Sequence, residues 1–169
     1  MAFICNDDND MNYLLGVRQF GNMQRTTAIL LQLARKLGVD RIITVGSSAG
    51  GFAAIKYALA LNGHASVTFS PFTTFADEHH RRDGRGQAII DRFKQRAPDQ
   101  LIDLVPLLAK RDPALELASF YAKDMPRDEW HAKRTLAASP RSFVIALNPG
   151  RSSSRSMVKK PTPSLRHWL

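Results

Sequence analysis

Ser48 stands in Gly46-Ser47-Ser48-Ala49-Gly50, between the β-branched run Arg41–Gly46 and an apolar helical pattern, Ala49–Leu61. A serine hydroxyl is a poor nucleophile until its proton is taken and the developing oxyanion is held. A sharp strand-to-helix turn supplies part of this. It lifts Oγ above the end of the strand and sets the Ala49 N–H at a helix N-terminus, as a first oxyanion donor. Such a turn strains the serine backbone and crowds the positions two residues to either side, a demand that Gly46 and Gly50 meet. Gly51 lets the helix lie close to its sheet, and Ser47 is assigned no chemistry. The competing reading is a glycine-rich turn whose serine only caps the helix.

Two carboxylates follow the predicted strand Leu115–Tyr121. Asp124 lies in Phe120-Tyr121-Ala122-Lys123-Asp124-Met125-Pro126, and Asp128 opens the helical stretch that follows. Each reads equally as a solvated or helix-capping group. The base is harder to find among the five histidines. His79 and His80 follow the strand Ala65–Ser70, within the polar loop Pro71–Gly86. His131 falls inside a helix and reads as amphipathic surface packing. His64 belongs to the opposite edge of the sheet, and His167 to a basic tail. His79 and His80 beside Asp77 and Asp83 lack a third well-spaced ligand, so no metal is expected. No cofactor is expected either. Cys5, the single cysteine, reads as a core thiol in an apolar run.

The elements that position these groups alternate. Strands are predicted at Phe3–Cys5, Arg41–Gly46, Ala65–Ser70, Leu115–Tyr121 and Ser142–Leu147. Helices are predicted from an Asn22 cap to Leu37, over Ala49–Leu61, Gln87–Arg96, Asp99–Lys110 (interrupted at Pro106) and about Asp128–Leu136. This alternation implies an α/β fold: a mainly parallel sheet with helices on both faces. Arg41–Gly46 is expected at its centre, between Phe3–Cys5 and Ala65–Ser70, because Ile42, Ile43 and Val45 suit burial on both sides. The C-terminal strand ends share one edge, where such sheets bind ligands.

The run Thr44-Val45-Gly46-Ser47-Ser48-Ala49-Gly50-Gly51-Phe52-Ala53-Ala54 resembles the nucleophile elbow of the α/β-hydrolase superfamily. Val67-Thr68-Phe69-Ser70-Pro71 is similar to the next strand of bacterial members associated with polysaccharide proteins. The broad resemblance spans about Phe3–Leu147. It implies hydrolase or acyltransferase chemistry with serine, acid and histidine in that order, and an acid after Leu115–Tyr121, where Asp124 and Asp128 lie. It also implies a histidine after the last strand, yet Asn148–Ser154 contains none; His79 and His80, after the strand next to the elbow, are the candidates to substitute for it. Residues 1–150 therefore read as an incomplete α/β-hydrolase-like domain, and 151–169 as a basic, disordered tail.

Composition bounds the partners. The chain has 169 residues and a net charge of +9, and five of its basic residues fall in Arg151–Leu169 without an acidic one. That tail lacks the interleaved aromatics of a nucleic-acid stacking platform. No apolar run approaches a membrane span, and the lone cysteine suits a reducing, cytoplasmic setting. The expected partner is a small-molecule ester or acyl-glycan; the oligomeric state is not legible. The alternative is a binding module, or an inactive fragment, that keeps the elbow without a base.

Overall fold

Asn22 caps a helix as predicted, its side-chain oxygen accepting the Arg25 N–H at 2.9 Å. Helix α1 runs over Met23–Lys36, and Gly38 turns the chain away at a φ of 63°. In this computed structural model the described residues are 15–76, 103–110 and 115–148, with positions 87, 91, 94 and 95. The strand expected at Phe3–Cys5, most of the helix expected at Gln87–Arg96, and the tail lie outside them.

After α1 come β1 (Ile43–Ser47), α2 (Ala49–Ala60), β2 (Ala65–Phe69), α3 (Val105–Lys110), β3 (Glu116–Ala122), α4 (Pro126–Ala138) and β4 (Ser142–Leu147), with helical positions 87, 91, 94 and 95 between β2 and α3. The four strands are parallel in the order β1-β2-β3-β4. Pro106 does not interrupt a helix. It sits in the first turn of α3, where its missing N–H costs nothing, and the Asp103 carboxylate accepts the Val105 N–H at 2.9 Å.

A sequential strand order keeps every right-handed crossover on the same face. The Thr44 hydroxyl donates to the Ala54 carbonyl at 2.8 Å, placing α2 on that face. The Ser142 hydroxyl donates to the Thr135 carbonyl at 2.9 Å, which places α4 there too. Between helices and sheet lies the core of Phe52, Ile55, Leu59, Phe72, Phe75, Leu104 and Leu117.

On the opposite face several large apolar side chains of the described strands are exposed. Ile43, Val45, Phe69, Phe143, Ile145 and Leu147 are all exposed on it, Val45 at 67%. Among the described residues, β1 is also an edge strand rather than the central one. Its neighbour in the sequence reading, Phe3–Cys5, is outside those residues. Among the described residues, the apolar run in β1 has one face packed under α2 while Ile43 and Val45 are exposed on the other. No described helix is long and apolar enough to cross a membrane.

Candidate active site

Ser48 occupies the single residue between β1 and α2, with φ 53° and ψ −122°. An L-residue adopts this conformation only where its surroundings enforce it, at about 1–3 kcal/mol. Three contacts enforce it here. The Ser48 N–H donates to the Phe69 carbonyl at 2.9 Å, continuing the β1–β2 ladder. The Ser48 carbonyl accepts from Gly51 N–H at 3.0 Å, which starts α2, and from Phe72 N–H at 3.0 Å. Ser48 makes no side-chain capping bond to α2, so the helix-cap reading of this serine fails. Its side chain is exposed at the C-terminal edge of the sheet.

The steric demand is met differently from the expectation. A Cβ on Gly46 would fall 2.1 Å from the Gly50 carbonyl oxygen, so position 46 admits only glycine. A Cβ on Gly50 would meet nothing within 4 Å; the second forced glycine is Gly51, where a Cβ would fall 2.7 Å from Pro71 Cβ. Crowding on the helix side comes from the chain leaving β2, which passes directly over the start of α2. Spacing about the serine points to Gly50 because it sees only the local turn.

The first α2 peptide, Ala49, points its N–H toward the Ser48 end of the helix, where intrahelical partners are lacking. Asp124 is exposed in the turn Ala122–Met125, closed by Met125 N–H to Ala122 carbonyl at 3.0 Å. In register Ser47, Phe69 and Phe120 are level, so Ser48 and Asp124 leave the same edge two strand spacings apart, about 10 Å. Asp128 is placed otherwise. It is 3% exposed inside the first turn of α4, and it is not the N-cap, since Met125 holds that position and Pro126 begins the helix.

His131 corrects the surface reading: it is 2% exposed, with Nδ1 accepting the Thr73 N–H at 3.1 Å. The start of the loop after β2 is likewise not polar surface. Phe72, Thr73, Thr74 and Phe75 are buried, because the aromatics enter the core and the threonines find partners. His64 lies at the opposite edge as expected, its Nδ1 accepting the Ile42 N–H at 3.3 Å. His79 and His80 lie outside the described residues. No group of three metal-ligating side chains occurs among the described ones. Sequence reasoning missed Ser70, which with Ser48 and Asn62 is one of three described non-glycines at positive φ (45°), and whose N–H donates to the Phe120 carbonyl at 2.7 Å.

Two titrating groups on α2 feel the core. Burial pushes the Lys56 ammonium below its ordinary value and the Tyr57 phenol above its own.

No family model matches the sequence, and no curated protein matches it. Solved structures do. The capsule O-acetyltransferase of Neisseria meningitidis serogroup A is 14% identical over 86% of this chain and 64% of its own, with a TM-score of 0.58. An α/β-hydrolase enzyme from the sediment metagenome of the Mar Chica lagoon, Morocco, is 12% identical over 74% and 58%, at 0.52. MenH from S. aureus is 14% identical over 86% and 70%, at 0.51. The chain has the α/β-hydrolase fold. It spans less than two thirds of the length of the first two of these proteins.

Proposed function

We infer that the chain carries out serine acyl transfer, with Ser48 as nucleophile on an ester or acyl-glycan. One observation carries this reading: a non-glycine residue held at φ 53°, ψ −122° between a parallel strand and a helix N-terminus, with its side chain exposed. Strain of this kind marks sites where geometry serves chemistry. Ser48 Oγ attacks the acyl carbonyl carbon, its proton passes to a base, and the oxyanion is held by the Ala49 N–H. The leaving alcohol departs with a proton, and water or a sugar hydroxyl then takes the acyl group from Ser48. Asp124 suits the orienting acid better than Asp128, because it is exposed at the edge that Ser48 shares. The base is drawn from His79 or His80, which follow β2 in sequence. Fold neighbours that include hydrolases and an O-acetyltransferase support acyl transfer as the class.

A second reading, a binding module that keeps the elbow without turnover, rests on one fact. Among the described residues no histidine accompanies Ser48: His64 is at the far edge and His131 is committed to Thr73. Aryl-ester hydrolysis by the wild type, Ser48→Ala, Asp124→Asn and the double change His79→Ala/His80→Ala separates the two. Turnover lost in both the serine and the histidine variants supports acyl transfer. Equal background rates in all four favour the binding module.

A further inference from the structure

Adjacent peptide units of the segment after β2 are tied in opposite directions. Phe72 N–H donates to the Ser48 carbonyl at 3.0 Å, on the elbow side. Thr73 N–H donates to His131 Nδ1 at 3.1 Å, on the α4 side, and the Thr73 hydroxyl lies 2.9 Å from the same nitrogen. Thr73 is fully buried and His131 nearly so. The His131 ring meets Phe72 edge-on, with centroids 5.3 Å apart and planes at 84°. One residue earlier, Pro71 presses on the position where Gly51 has no side chain.

The chemistry of this contact is specific. A ring nitrogen that accepts a backbone N–H carries no proton, so neutral His131 holds its proton on Nε2. A hydrophobic residue of similar size would fill the space yet leave the buried Thr73 N–H without an acceptor. The chain would then move Thr73 toward another acceptor, and Phe72 would move with it. Among the described residues, the Phe72 N–H is the one bond to the Ser48 carbonyl that comes from outside the elbow and α2.

We propose that His131 is a positioning residue for the Ser48 elbow. From α4 it fixes Thr73, Thr73 fixes Phe72, and the Phe72 N–H holds the Ser48 carbonyl. This chain of contacts sets the direction of Ser48 Oγ relative to the Ala49 N–H. The described contacts of His131 are with Thr73, Phe72 and Trp130 rather than with Ser48. The relevance to acyl transfer rests on the reading of Ser48 given above; the clamp itself does not.

Amide hydrogen exchange on the full chain tests the clamp directly. In His131→Leu the Phe72 and Thr73 amides should exchange about tenfold faster or more, while amides of β3 and the far end of α2 keep their protection. His131→Asn, whose short carboxamide offers an acceptor oxygen, should restore most of the protection. Thr73→Val, which removes the hydroxyl but keeps the N–H bond, should retain it. Imidazole nitrogen NMR of the wild type should show Nδ1 unprotonated and Nε2 protonated. In parallel, covalent labelling of Ser48 by a fluorophosphonate should slow in His131→Leu and recover in His131→Asn, in step with Phe72 protection. Unchanged Phe72 and Thr73 protection in a folded His131→Leu overturns the proposal. Should that variant not fold, a protonated Nδ1 in the wild type, or loss of protection in Thr73→Val, does the same. A wild type that resists labelling but shows the predicted exchange pattern keeps the clamp and removes the acyl-transfer reading.

Discussion

The Gly46 backbone lies so close to the Gly50 carbonyl oxygen that a Cβ at position 46 would fall 2.1 Å from it. This approach folds β1 back into α2 within one residue and forces Ser48 to φ 53°. Gly46→Ala should therefore destabilise the chain by about 3 kcal/mol, since the obstructing atom is backbone and cannot rotate away. Gly50→Ala should instead be neutral or stabilise by up to about 1 kcal/mol, because it fills open space in a helical turn. Urea denaturation of the two variants checks the contrast, and similar losses in both would contradict the geometry.

Ser48→Gly removes the Cβ from a strained backbone. It should raise stability by about 1 kcal/mol. Ser48→Ala keeps the Cβ and should stay within about 0.5 kcal/mol of the wild type. Denaturation midpoints at constant slope measure both. A Ser48→Gly variant less stable than Ser48→Ala would show that the positive φ is not costly here.

The two faces of the sheet should respond unequally to substitution. Leu117, 1% exposed beneath the helices, should cost about 2–5 kcal/mol when changed to Ala. Val45→Gln and Phe143→Gln, at positions 67% and 39% exposed on the open face, should each cost no more than about 0.5 kcal/mol. Losses above about 2 kcal/mol at Val45 and Phe143 would show that this face is packed in solution.

Lys56 gives a pH-dependent test. Burial lowers its value from 10.5 in the folded chain, so at neutral pH the folded state carries a desolvated charge that the unfolded chain does not. As pH rises through the lowered value toward 10.5, the folded lysine sheds its proton first and the penalty fades. Lys56→Met should therefore stabilise at neutral pH, with the gain shrinking as pH approaches 10.5. Tyr57 acts oppositely above pH 10.0, since its folded value is raised, and comparing variants at matched pH cancels it. A gain that grows with pH would reverse the assignment.

Much of the fold was legible because local signals agreed. Asn22 and Gly38 bounded α1, and β4 was placed at Ser142–Leu147 to the residue. Alternation gave the parallel sheet, and the elbow followed from the strand, serine and helix together. What periodicity does not reveal is which neighbour covers a face, and so Val45 read as buried when its face is open. Long-range contacts were equally hidden. Pro71 over Gly51 moved the steric constraint from Gly50, and Thr73 drew His131 into the interior. A histidine three residues after an acidic residue on an amphipathic helix looks like surface until its distant partner is known.

The central claim is that the elbow makes Ser48 an accessible, activated nucleophile. The most direct measurement is intact-protein and peptide mass spectrometry after treatment with a fluorophosphonate, for the wild type and Ser48→Ala. A single adduct is expected on the peptide containing Ser48, forming with time in the wild type and absent in Ser48→Ala. Wild-type chain that stays unlabelled while folded, or that is labelled equally in Ser48→Ala, would contradict it.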